Sequence, residues 1–222
     1  MTAPAKFDMT TVTEGHYVIR KQKFVRVTSL IAAVGLSDFS SIPARDRDYY
    51  MQRGKGTHRL FEDVETGKAD AFTYDPRVEV YKAAHAKFLR ETGFTAAPSG
   101  IEHRVFATWK ELGLQGDDES EGLAGTLDRF GLMQMRPALC DYKTSSLPPA
   151  VRKGLPTPTA VQTSLYAILL CIRQPMHSFG VIQRFGVAFK ANGNYVMSPA
   201  YSFSDKAFAM DAIRKYLRKE TI

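Results

Sequence analysis

The chain has 222 residues, of which 44% are hydrophobic and 24% charged, with a formal net charge of +7. This is globular composition with enough apolar residues for one sizeable core, so a single domain over residues 1–222 is expected, with strands and helices over 1–95 and a sheet core over 96–222. No apolar stretch is long enough to span a bilayer, two cysteines cannot alone complete a four-thiolate cluster, and the basic balance suits a polyanionic partner such as nucleic acid.

The first residues, "MTAPAKFDMTTVTEG", lack an apolar signal core, so an intracellular protein is expected. Residues 16–35 read as a hairpin running into a helix, with Ser29 as its N-cap. Residues 43–67 read as helical on both sides of Gly54 and Gly56. Residues 75–93 read as one helix, capped by Asp75, begun by Pro76 and ended by Gly93. Tyr81, Ala84, His85 and Phe88 form its apolar stripe. Three strands follow at 101–109, 123–133 and 137–143. A Pro-rich loop (144–159) leads to a helix at 160–172, strands at 177–186 and 194–203, and a final helix at 205–220 with a basic end. The order predicts an α+β (mixed α/β) fold, a central mixed sheet of about five strands flanked by helices, with an N-terminal hairpin and helical segment. Cys140 and Cys171 read as buried thiols.

The segment "LCDYKTSS" places Asp141 and Lys143 two apart on a strand, hence on one face. A turn centred between Gln134 and Met135 sets Asp128 directly opposite Asp141, with Cα atoms about 4.5–5.5 Å apart. Two bare carboxylates in that position destabilise a sheet. A divalent cation reverses the sign of that cost, and oxygen ligands suit Mg²⁺ or Mn²⁺. Taken alone, Asp-x-Lys also fits a solvated face with a diagonal salt bridge to Asp128. "DDESE" (117–121) reads as a solvated hairpin end. "RGKGTH" lacks the spacing of a phosphate loop, so no nucleotide is expected.

Taken together, "GTHRLFE", "GIEHRVF", "AGTLDRFG", "ALCDYKTS" and "QTSLY" resemble the PD-(D/E)XK nuclease superfamily, in its order and over roughly residues 54–170. The run is most similar to the RecB-type exonuclease branch and its phage-encoded members. The resemblance implies a restriction-endonuclease-like core and a Mg²⁺- or Mn²⁺-dependent DNA nuclease. It implies action on DNA ends in recombination, repair or processing, in the cytoplasm of a bacterium or phage-infected host, with a recombination or helicase protein as a further partner. Asp128 and Asp141 would bind one or two ions, helped by the Tyr142 carbonyl and by His58. Lys143 would orient or activate the attacking water. Gln162 and Tyr166, at i, i+4, would line the site. Glu102 matches an acidic position in the first sheet strand, either accessory or purely structural. Lys55, Arg59, Arg129, Arg152 and Lys153, together with Arg53, are candidates for DNA phosphates. Neither cysteine matches a cluster position of the branch, so no iron–sulfur cluster is expected. An endonuclease, a DNA-binding module that has lost catalysis, and a purely structural sheet protein are the alternatives.

Overall fold

The computed structural model describes residues 10–13, 15–37, 43–116, 120–144, 151–152 and 155–222. Three short antiparallel strands open it: β1 (Thr10–Thr13), β2 (His16–Ile19) and β3 (Gln22–Arg26). Helix α1 (Val27–Ala33) follows at once, with Arg26 and not Ser29 at its N-cap. Val27, Leu30 and Ile31 are all buried, and burying Val27 starts the helix two residues before Ser29.

Helix α2 (Ala44–Glu65) is helical on both sides of Gly54 and Gly56, as expected, and runs through them unbroken. Each glycine costs about 1 kcal/mol against alanine, but Leu60 and Phe61 are fully buried and hold the second half against the sheet. The expected helix at 75–93 forms as two, α3 (Pro76–Glu79) and α4 (Lys82–Thr92). The chain turns between them as Tyr81 enters the core. The expected caps are present: the Asp75 carboxylate accepts the Arg77 N–H at 2.9 Å, and Gly93 closes α4 at φ 64°.

The long strands β4 (Thr95–Thr108), β5 (Gly122–Met133) and β6 (Arg136–Lys143) form the antiparallel heart of the sheet. Two-residue strands β7 (Val151–Arg152) and β8 (Leu155–Pro156) pair with each other. Helix α5 (Pro158–Arg173) is capped by Thr157, whose hydroxyl accepts the Ala160 N–H. Strands β9 (Gln183–Phe189) and β10 (Tyr195–Met197) precede α6 (Asp205–Leu217). The strand expected at 177–186 starts late because a 3₁₀ turn occupies Phe179–Val181. Its extent is set by parallel pairing with β6, from Ala138↔Gln183 to Lys143↔Ala188.

The main sheet has eight strands, more than the expected five, because the N-terminal strands join it through parallel pairing of β3 with β5. One edge of β5 carries β4 along most of its length. Its other edge is shared: β3 pairs at 122–124 and β6 at 129–133. Residues 125–128 are left in the gap between them. Helices α1, α5 and α6 cover one face through Leu30, Leu165, Leu169 and Ile213. Helices α2, α3 and α4 cover the other through Phe61, Val78 and Phe88, packed on Tyr142 and Phe189. Cys140 is buried and Cys171 half-buried, both as free thiols.

The β5–β6 turn is Gln134-Met135, and both residues are left-handed (φ 50° and 65°). That geometry favours Asn-Gly. Met135 is 86% exposed, so replacing it removes no packing. The pair Gln134→Asn with Met135→Gly is expected to stabilise the fold by about 1 kcal/mol, seen as a rise of ~2–4 °C in melting temperature. A lower melting temperature would contradict this account of the turn.

Candidate metal centre

The last paired residues of β5 and β6 are Arg129 and Cys140. Continued one step past the last pair, the same register, with its turn between Gln134 and Met135, sets Asp128 across from Asp141. On the other side of β5, Ile101 pairs with Arg129 and His103 with Leu127, so Glu102 lies opposite Asp128. Three acids thus occupy one row across β4, β5 and β6. The register breaks between Ala96 and Ile101. There Gly100 packs so tightly on β5 that a Cβ would lie 2.0 Å from the Phe130 carbonyl oxygen. Glu102 follows at φ 46°, a left-handed backbone that is costly for a residue with a Cβ. Strain of this kind concentrates at functional sites.

Side chains converge where β5 and β6 part. Asp128 Oδ2 accepts the Tyr142 N–H at 2.6 Å. His58, from the middle of α2, donates from Nε2 to the Tyr142 carbonyl at 3.1 Å. Its Nδ1 lies 3.3 Å from Glu102 Oε1 and 3.6 Å from Asp128 Oδ1. One ligand atom from each of His58, Glu102 and Asp128 lies within 4.8 Å of the others, compact enough for one cation. Asp141 does not close into that set. It is only 1% exposed, and neither of its oxygens accepts a well-directed hydrogen bond among the described residues. Lys143 Nζ stands 2.6 Å from Asp141 Oδ2. Buried carboxylate oxygens in native proteins nearly always have partners. A buried carboxylate whose partner is the Lys143 ammonium, beside a His/Glu/Asp cluster, fits a hard divalent cation.

The charges support the same picture. Burial alone would lower the His58 pKa, but Asp128 and then Glu102 outweigh it and hold the imidazole up to about 9. Burial pushes the Asp141 carboxyl up, Lys143 pulls it down and Asp128 pushes it up again, leaving it at about 6. Burial disfavours the Lys143 ammonium, yet Asp141 and Asp128 raise its pKa above the ordinary lysine value, so it stays charged. A charged His58 imidazole and the Lys143 ammonium therefore stand among the carboxylates at neutral pH.

Tyr166 is buried over Gly125, where a Cβ would come within 2.4 Å of its ring. Its hydroxyl accepts from Gln162 Nε2 at 3.2 Å. Burial, then Asp128 and Asp141, push its phenol well up. Lys55 and Arg59 line a cleft of about 310 Å³ with Gly54, His58, Glu62 and Glu102. Arg59 is also paired with Asp63 at 2.8 Å. Arg53 Nη2 donates to the Thr144 carbonyl at 3.4 Å, just past Lys143.

Arg129 is not placed to meet DNA: its side chain is fully buried. β5 points it to the face opposite Asp128, where Glu65 and Glu102 neutralise it. Arg152 lies in β7, and Lys153 falls outside the described residues. Of the acidic loop, residues 117–119 also fall outside them. Sequence reasoning missed Glu62, which lines the cleft, and Tyr201, close enough to Asp141 and Lys143 to feel both charges. It also missed Glu65, although that residue sits seven positions after His58 on the same helical face.

No protein-family model matches the chain, and no curated protein matches its sequence. Solved structures do match. A protein from Eubacterium rectale, provisionally named an exonuclease, superposes at a TM-score of 0.52 with 9% identity, covering 88% of this chain and 80% of its own. The protein SSO0001 matches more loosely, at a TM-score of 0.42 and 12% identity over 89% of this chain and 77% of its own. The fold, a mixed sheet between helices, is thus shared with the Eubacterium rectale protein. No helix among the described residues is long and apolar enough to cross a membrane.

Proposed function

We propose that this chain is a metal-dependent deoxyribonuclease that hydrolyses phosphodiester bonds from DNA ends. It belongs on this reading to the RecB-type branch of the PD-(D/E)XK nucleases and uses Mg²⁺ or Mn²⁺. The observation that carries the reading is Asp141: a buried carboxylate without a directed hydrogen bond, opposite Asp128 and 2.6 Å from the Lys143 ammonium. A purely structural sheet has no use for that arrangement, and a plain DNA binder gains nothing from acids that repel phosphate.

When bound, a divalent cation polarises the phosphodiester and lowers the pKa of the attacking water. Asp128, Asp141 and His58 would hold it, with Glu102 completing the set and the Tyr142 carbonyl as a further oxygen donor. Lys143 keeps its proton and stabilises charge on the non-bridging phosphate oxygens. Tyr166 and Gln162 close the site from the α5 side. Lys55 and Arg59 draw the DNA backbone into the cleft.

Incubation of linear and closed-circular DNA with Mg²⁺ or Mn²⁺ tests the reading. Linear DNA is expected to be degraded and the closed circle spared. Cutting of the circle would make the protein an endonuclease, and no cutting of either would remove the nuclease reading.

A second expectation concerns pH. The folded His58 pKa, about 9, lies above the unfolded value of about 6.5. Its charged form therefore stabilises the metal-free fold fully below pH 6.5, and that contribution is lost as pH rises through 9. A cation must displace the same proton. The melting-temperature rise produced by Mn²⁺ is therefore expected to grow between pH 7 and 9 and to vanish with excess EDTA. Differential scanning fluorimetry across that range checks it; a rise that shrinks toward pH 9 would contradict the assignment of His58 as a ligand.

A further inference from the structure

The end of β6 farthest from the metal centre opens on a groove of about 500 Å³. Arg136 starts the strand there, and Asp141 lies about 17 Å further along it. Phe179 and Ile182 form the buried floor of the groove. Met135, Phe203 and Val181 stand at its rim, 86%, 62% and 55% exposed. A rim this exposed makes an open trough, unlike the pockets that enclose most of a small ligand. Met135 is the rim residue that the fold explains least. It holds a left-handed backbone, φ 65°, at a turn that favours glycine, and its side chain gains almost no burial there. A bulky apolar group kept at a cost to stability, beside two other exposed apolar groups, points to a contact outside the chain.

The groove is also basic. The Arg184 guanidinium lies 4.9 Å from the Phe179 ring centroid, and the Lys206 ammonium lies 5.4 Å from it. Arg184 is buried with Asp205 at 3.8 Å. Arg136 and Lys206 are exposed, and neither has a carboxylate partner among the described residues. No Asp or Glu is among the described residues that line the groove. We infer that this groove docks a partner protein through a short acidic segment that carries a bulky apolar side chain. The apolar group seats on Phe179 between Met135, Val181 and Phe203, and the flanking carboxylates meet Arg136 and Lys206. Nucleic acid fits less well, because Met135 and Val181 offer no ring on which a base could stack. The inference goes beyond the nuclease reading and does not rest on it, since the groove shares no lining residue with the cleft at His58.

Four fluorescein-labelled nonapeptides test this with the full chain and without DNA. Each has an apolar pair at its centre (Leu-Phe, Ile-Phe, Met-Leu or Trp-Leu) flanked by Asp and Glu, and anisotropy is read. At least one is expected to bind with a Kd of about 100 µM or tighter. Met135→Gly should weaken that binding about 10-fold, the scale of one methionine buried at an interface. The same change favours the turn, so unfolding cannot account for the loss. Arg136→Glu should also weaken it about 10-fold, and a peptide with Lys in place of its acids should then bind this variant better than wild type. In protein carrying ¹³C-methyl methionine, the Met135 signal should move on titration and that of Met51, on α2, should stay. No binding by any of the four, equal binding of the Lys-substituted peptide by wild type, or an unmoved Met135 signal overturns the proposal. Displacement of the peptide by oligo(dT) makes the groove a nucleic-acid site. A dimer in sedimentation velocity that Met135→Gly dissolves makes it a contact between two copies of this chain. Either result overturns the assignment to a partner protein.

Discussion

Lys143→Ala is expected to lower Mg²⁺-dependent cleavage of linear DNA by about 10²- to 10³-fold, the usual cost of removing one preorganised charge from a reacting phosphate. DNA binding in EDTA should change far less, because Lys55 and Arg59 beside the cleft are left in place. The substitution has a second consequence that a loss of folding would not imitate. Lys143 holds down the pKa of Asp141, which burial and Asp128 push up. Without the ammonium, Asp141 takes up a proton at a higher pH and competes less well for metal. The acid limb of the residual activity should therefore move to higher pH, and half-saturation should need more Mg²⁺. A pH–rate profile of the variant at two Mg²⁺ concentrations reads both effects. A variant that cuts at the wild-type rate would remove Lys143 from the chemistry and, with it, the main reason to read Asp141 as catalytic.

The parts of this site that could be read from sequence are those fixed by strand periodicity. Asp128 opposite Asp141 follows from a two-residue turn, and the observed pairs from Met133↔Arg136 to Arg129↔Cys140 have that turn at their centre. The caps at Asp75 and Gly93 were equally local, since each depends on a residue's own backbone preference. What escaped were features decided by distant partners. β9 starts at Gln183 because β6 offers it a parallel edge, and nothing in "HSFGVIQRFG" marks that position. The sheet reaches eight strands because β3 finds the free end of β5, a contact made across almost a hundred residues. Glu102 joins His58 and Asp128 only because the bulge before it alters the strand, and bulges leave little trace beyond a glycine. Arg129 was misjudged for a simpler reason. A basic residue beside a catalytic motif looks like a phosphate contact until its face of the strand is known.

That buried arginine carries the largest expected effect on stability. Arg129 Nε donates to Glu65, and Nη1 donates to Glu102 at 3.0 Å and to the Asp128 carbonyl at 2.7 Å. Nη2 reaches the His58 carbonyl at 3.5 Å, and the guanidinium lies 5.1 Å from the Tyr142 ring centroid. Glu65 in turn accepts from His85 at 2.8 Å and from the Tyr142 hydroxyl at 3.3 Å. One planar cation therefore ties α2, β4, β5 and β6 together behind the candidate ligands. Arg129→Met leaves Glu65 buried beside an apolar chain, and breaking a buried pair from one side costs about 3–5 kcal/mol. For a domain of this size the melting temperature should fall by on the order of 10 °C. Arg129→Lys should recover little, because an ammonium cannot serve four acceptors in one plane. Adding Glu65→Gln to Arg129→Met should recover part of the loss, since the stranded charge is gone, and a double-mutant cycle isolates that coupling. Stability and activity can then be separated. At a temperature where Arg129→Lys is fully folded, its affinity for Mn²⁺ should still be lower than wild type, because Glu102 and the Asp128 backbone have lost their common anchor. Arg129→Met melting within 2 °C of wild type would show that the guanidinium is tolerated at this position but does not hold the site together.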